Sequence, residues 1–93
     1  MLVMIKSAPD TPEAKRGVSL AADLGADLVL IQNAVYLARS LKDKGFRGAA
    51  HVLDEDLRMR GLGPEADIGA ATRIDYGTLV DLITQTDQVH GAF

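Results

Sequence analysis

The strongest constraint on this chain is a pattern that occurs twice: a wholly apolar run of four, a polar break, then apolar residues at helical spacing. The two runs are Leu2-Val3-Met4-Ile5 and Leu28-Val29-Leu30-Ile31. Each is too short for a buried helix and lacks the alternation of a half-exposed strand, so each reads as a strand buried on both faces. Strands of that kind need helices above and below them.

The elements between the runs supply those helices. Lys6-Ser7-Ala8-Pro9 ends the first run. Asp10 and Glu13 stand at capping-box spacing, with Pro12 in the first turn, where its missing N–H is harmless. Ala14, Val18, Ala21 and Ala22 then recur at helical spacing as far as Gly25, which is placed to close the helix in a left-handed conformation. After the second run, Gln32-Asn33 breaks the strand and offers Asn33 as an N-cap. Ala34, Leu37, Ala38 and Leu41 give the inner stripe of a second helix that Gly45 stops. Arg39, Lys42 and Lys44 complement the negative end of its dipole.

Ala49 to Leu53 reads as a third strand, and Asp54-Glu55-Asp56 opens a short helix that runs to Arg58, Arg60 and Gly61. Leu62 to Gly69 lacks periodicity and contains Gly63-Pro64, so it is a loop. Ala70 to Ile74 reads as a fourth strand. Asp75 caps a helix with Tyr76, Leu79, Val80 and Ile83 on one face, and Asp87 to Phe93 trails off as a tail. The predicted fold class is α/β: a mainly parallel sheet of about four strands, flanked by helices in three layers with right-handed crossovers. The 93 residues are expected to form a single domain whose strand order the sequence leaves open.

Composition excludes several chemistries. There is no cysteine, which removes disulfides, thiolate metal ligands, cysteine nucleophiles and persulfide carriers together. A net charge of −3 argues against nonspecific phosphate binding, so direct nucleic-acid binding is not expected. The apolar runs fall far below the ~20 residues that span a bilayer, and no basic segment precedes a signal-like stretch, which predicts a cytoplasmic protein without a membrane partner. No Gly-rich phosphate loop and no Gly-x-Ser-x-Gly elbow is present. His51 is expected to be half-buried and hydrogen-bonded in a strand, and His90 to lie in the tail; neither completes a zinc site.

Ligands of parallel sheets gather beyond the carboxyl ends of the strands, which singles out Lys6-Ser7, Gln32-Asn33, Asp54-Glu55-Asp56 and Asp75. A catalytic reading gathers Asp54, Asp56 and Asp75 around Mg²⁺ for phosphoryl chemistry. The structural reading makes Asp54 and Asp75 helix caps and Asp56 a first-turn carboxylate. Tyr36 and Tyr76 read as core residues whose hydroxyls reach the rim, the alternative being a crevice shared with Lys6 and Gln32. Val89 and Phe93 either pack the tail onto its own domain or insert into a neighbouring subunit.

Val52-Leu53-Asp54-Glu55-Asp56-Leu57-Arg58-Met59-Arg60-Gly61-Leu62 and Ile74-Asp75-Tyr76-Gly77-Thr78-Leu79-Val80-Asp81-Leu82 together resemble the DsrH/TusB family. Its pattern sets an Asp-Leu ahead of Arg-Gly-Leu, then an Asp-Tyr opening the last helix. Leu28 to Tyr36 is similar to the family's second strand and its polar sequel, and Ile5-Lys6-Ser7-Ala8 to its Lys/Arg-Ser-Pro element. Three features depart from the pattern: Ala34 where glycine is common, Phe93 where many relatives have tryptophan, and no cysteine in Gly17-Val18-Ser19-Leu20.

The resemblance implies a DsrE-like α/β/α fold working in a sulfur relay, usually a dimer of heterotrimers with DsrE/TusD-like and DsrF/TusC-like subunits. There sulfur travels as a cysteine persulfide toward 2-thiolation of the tRNA wobble uridine or toward sulfur oxidation. Without a thiolate this chain cannot carry it, so the expected role is a noncatalytic accessory subunit with no cofactor. The alternatives are a homo-oligomeric regulatory or small-ligand module and the Mg²⁺-dependent enzyme above. The resemblance picks out Asp56, Arg60, Asp75 and Tyr76 as binding or interface residues, and the strand-end argument adds Lys6, Gln32 and Asn33.

Overall fold

The computed structural model describes residues 1–92, so the docking role considered for Phe93 lies outside the described residues. Along the chain run β1 (Leu2–Ile5), α1 (Pro12–Leu24), β2 (Asp27–Leu30), a 3₁₀ helix (Gln32–Ser40), β3 (Ala50–Leu53), α2 (Asp54–Met59), β4 (Thr72–Ile74), α3 (Tyr76–Gln85) and β5 (Val89–Ala92). The strands form one five-stranded sheet in the order β4-β3-β2-β1-β5. Every pairing is parallel.

The fold class is as the sequence predicts, with one more strand. Four strands alone would leave β1 at an edge, although Val3 and Ile5 are fully buried. The tail covers that edge: Val89 pairs with Leu2 and Ala92 with Ile5, and the Leu2 N–H donates to the Gln88 carbonyl at 2.9 Å. Backbone pairing, rather than an apolar run, makes Val89–Ala92 a strand.

Alternation along the strands sorts the core into two layers. Val3, Ile5, Leu28, Leu30 and Val52 face α1, the 3₁₀ helix and α2, meeting Ala14, Val18, Ala21, Val35, Leu37 and Leu57. Leu2, Val29, Leu53 and Ile74 face the other way and pack against Leu79, Leu82 and Ile83 of α3. One side of the sheet thus has broad cover and the other a single ten-residue helix.

Gly17 lets α1 approach the sheet closely. A Cβ there would lie 2.7 Å from Ile5 Cδ1 and 2.8 Å from Ala92 Cβ, so the absence of a side chain lets the helix seat over β1 and β5 together.

Local details correct several expectations. Thr11, not Asp10, caps α1: its Oγ1 accepts from the Ala14 N–H at 3.2 Å and its hydroxyl donates to the Ala8 carbonyl. Pro12 fixes the first helical residue, so the residue directly before it must be the cap. Gly25 ends the helix at φ 64°, as predicted, its N–H donating to the carbonyls of Ala21 and Ala22.

The second helix is a 3₁₀ helix of nine residues, longer than the 3–4 residues usual for that form. Ile31 precedes it without a side-chain cap, so Asn33 is not the cap. With three residues per turn, Ala34 and Leu37 form one inward ridge and Val35, Ala38 and Leu41 a second. Asn33, Tyr36, Arg39 and Lys42 form an outward, exposed third. The fourth strand begins at Thr72 rather than Ala70, because the Ala71 N–H turns back to the Ile68 carbonyl at 3.1 Å.

Candidate functional site at the carboxyl ends of the strands

Strand order reverses between β1 and β5, so the topological switch point lies at the carboxyl end of β1, where exposed Lys6 follows Ile5. A cluster of mutually bonded polar groups lies beyond β2 and β3, one and two strands from β1. Asp56 is their centre. Only 8% of it is exposed, and its Oδ2 accepts the backbone N–H of Gln32 at 2.7 Å, across 24 positions of sequence.

That bond holds an unusual backbone. Gln32 is the non-glycine residue with positive φ among those described, at 51°, a conformation that costs a residue with a side chain about 1 kcal/mol or more. It turns the chain sharply from β2 into the 3₁₀ helix. Arg60 locks the arrangement from outside: its Nε and Nη2 donate to Asn33 Oδ1 at 3.2 and 3.0 Å, and its Nη1 donates to the Asp56 carbonyl at 3.0 Å. The Arg60 guanidinium and the Asp56 carboxylate stand 3.9 Å apart. Gln32, Asn33, Asp56 and Arg60, singled out separately in the sequence, are therefore one clamp.

A second clamp lies beside it. Asp54 was expected to cap α2, but Leu53 holds that position and no side chain caps the helix. Asp54 Oδ1 instead accepts from Arg73 Nη1 at 2.7 Å and its Oδ2 meets Arg58 Nε at 2.8 Å. The Arg73 guanidinium also donates to the Gly63 carbonyl, tying the loop before β4 to the sheet. Sequence reasoning did not give Arg73 this role. The Asp54 to Arg58 spacing of four was the visible part of the signal; the Arg73 partner came from β3–β4 pairing.

These bonds disperse the three carboxylates of the Mg²⁺ reading. Asp54 is engaged by two guanidinium groups, Asp56 by Gln32 and Arg60, and Asp75 by its own helix. Among the described residues no group of three or more His, Cys, Asp or Glu side chains could hold a metal ion. Asp75 is the predicted cap of α3: its Oδ1 accepts the Thr78 N–H at 2.8 Å. That backbone bond, helped by the Thr78 side chain, holds its carboxyl below the ordinary aspartate value.

The tyrosines depart from the expected core role. Tyr36 is 46% exposed and Tyr76 52%. Tyr36 rides the outward ridge of the 3₁₀ helix, and Tyr76 starts α3, whose inward contacts come from Leu79, Leu82 and Ile83. The cleft that Tyr36 lines is walled by Val35, Leu57, Leu62 and Ile68 and includes neither Lys6, Gln32 nor Tyr76. Val89, 42% exposed at the start of β5, stays at the surface although its backbone belongs to the sheet.

His51 sits in β3 and His90 in β5. The buried His51 Nδ1 and His90 Nε2 have no hydrogen-bond partner among the described residues, unlike the bonded histidine expected at position 51. No helix of the described residues is long and apolar enough to cross a membrane.

Comparison with curated proteins finds no match. Among solved structures, the YchN protein from E. coli superposes with a TM-score of 0.79 at 15% identity, covering 97% of each chain. That similarity shows the α/β/α fold. The model of the DsrH family, described as DsrH like protein, matches residues 7–89, a span that contains both clamps and the Asp75 cap. This chain belongs to the DsrH family.

Proposed function

We propose that this chain is a noncatalytic accessory subunit of a cytoplasmic sulfur relay, holding cysteine-bearing DsrE-like and DsrF-like subunits in place while sulfur moves on their thiols. One observation carries the reading: a DsrH-family chain with no cysteine has no thiolate on which a persulfide could form. The strand-end carboxylates and guanidinium groups support it, because they are bonded to one another and brace the turns after β2 and β3. Tyr76 and Val80 on α3 and Val89 on β5 present exposed apolar surface to a neighbour. Delivery of the sulfur to the wobble uridine of tRNA, or its withdrawal for oxidation, belongs to the partner's cysteine.

The test is isolation of the tagged chain from its native host at low expression, followed by native mass spectrometry and a labelled-sulfur assay. DsrE-like and DsrF-like chains in equal amounts, with label on a partner cysteine and none on this chain, is the expected result. Recovery of a homo-oligomer alone would overturn the relay reading and leave the fold in another use.

A further inference from the structure

At the opposite end of the sheet from the clamps, by the amino ends of β3 and β4, lies a cavity of about 400 Å³. Its size falls in the range of small-molecule sites, roughly 300–1,000 Å³. The floor is apolar: Ala38, Leu41, Phe46 and Ala50 line it and are buried. The segment Gly69-Ala70-Ala71 forms a wall with nothing beyond a Cβ to fill the space.

The charge at its rim differs from that of the chain. Arg39, Lys42 and Arg47 line the opening against one carboxylate, Asp43, whereas the whole chain carries a net charge of −3. All three cations are exposed. Among the described residues the ion pairs use Arg58, Arg60 and Arg73, so the rim cations form none. Nor are they occupied in closing the 3₁₀ helix. The carbonyls of Ser40, Leu41 and Lys42 accept the backbone N–H groups of Lys44, Phe46 and Gly45. Arg39 stands in the last turn of that helix, where the sequence places it to complement the dipole, and it closes none of these hydrogen bonds.

We propose that this cavity binds a small organic anion: a carboxylate or phosphate attached to an apolar, preferably aromatic, body. The anion sits among Arg39, Lys42 and Arg47, where a guanidinium offers paired donors to carboxylate or phosphate oxygens. The body lies on Phe46, Leu41 and the alanines. Neither half suffices alone: exposed cations hold an ion weakly in salt, and a shallow apolar floor does not select a charge. The site is remote from the strand-end clamps and does not depend on the relay reading.

The probe is 1-naphthyl phosphate, titrated into the full isotope-labelled chain and followed by amide chemical shifts, with 1-naphthol as the uncharged control. Saturable shifts confined to residues 38–50 and 69–71 are expected. Binding of 1-naphthol should be at least about ten-fold weaker, and added salt should weaken the phosphate only. The double charge reversal Arg39→Glu with Arg47→Glu, at two exposed positions, should weaken the phosphate about ten-fold or more while leaving the spectrum folded. The single charge reversal Lys15→Glu, at an exposed position of α1 away from the cavity, should leave binding unchanged. Shifts that do not saturate, equal affinity for naphthol, or an unaltered charge-reversed variant would each overturn the proposal.

Discussion

Removal of the Asp56 carboxylate tests the clamp most directly. In Asp56→Ala the Gln32 N–H loses an acceptor at 2.7 Å, and a hydrogen bond to a charged group contributes about 1.5–3 kcal/mol. The Arg60 ion pair adds less than about 1 kcal/mol, since at 3.9 Å it is at the outer limit of an ion pair. Arg60 keeps its bond to the Asp56 carbonyl, which is backbone. The left-handed strain at Gln32 then loses its counterweight. The total loss is about 2–4 kcal/mol, which lowers the melting temperature of a chain this size by roughly 10–25 °C.

Asp56→Asn keeps an acceptor and should lose only about 1 kcal/mol. Adding Gln32→Gly to Asp56→Ala should recover about 0.5–1 kcal/mol, because glycine adopts positive φ without steric cost. Urea unfolding with an unchanged slope gives the free energies, and hydrogen exchange at the Gln32 amide reports the bond itself. A loss below about 1 kcal/mol for Asp56→Ala, with the Gln32 amide still protected, would refute the clamp.

Two further predictions follow from the caps and the packing. The folded pKa of Asp75 lies below its unfolded value, so its contribution is fully present above the ordinary aspartate range near pH ~4 and is lost as pH falls through the lowered value. The stability gap between the native chain and Asp75→Ala in thermal melts should therefore be present at neutral pH and shrink as the pH falls below the ordinary aspartate range; a gap independent of pH would show that the carboxylate is not what caps α3. For Gly17→Ala, helix propensity alone predicts a gain of about 1 kcal/mol. The 2.7–2.8 Å approaches to Ile5 and Ala92 predict overpacking of about 1–3 kcal/mol, so melts should show a net loss with weakened protection of the β5 amides. A net gain would mean that α1 does not seat this closely.

Much of the architecture was written locally. The runs Leu2–Ile5 and Leu28–Ile31 announce buried strands because burial on both faces demands unbroken apolar sequence, and Gly25 and Asp75 mark helix ends through bonds to residues three or four positions away. Even the 3₁₀ helix left a trace, since Ala34 with Leu37, and Val35 with Ala38 and Leu41, recur at three. The apolar set there fits both periods, which is why a 3.6-residue helix was the natural reading.

The site was legible in membership and not in arrangement. Gln32, Asn33 and Asp56 were identified at the strand ends and Arg60 through the family resemblance, but their mutual bonds span 24 and 27 positions and exist only because β2 and β3 are neighbours. The same applies to Arg73, which reaches Asp54 through β3–β4 pairing, and to the rim cations, whose common cavity forms only when the 3₁₀ helix, the 46–48 connection and the 69–71 turn converge. Val89-His90-Gly91-Ala92 carries no strand signal of its own, and the open edge of β1 makes it one. Local sequence settled which segments must be buried and where helices begin and end, because burial and capping act within a few residues. Strand order, the fifth strand and the clamps were decided by the tertiary structure, because each depends on a partner that only the folded sheet brings within bonding distance.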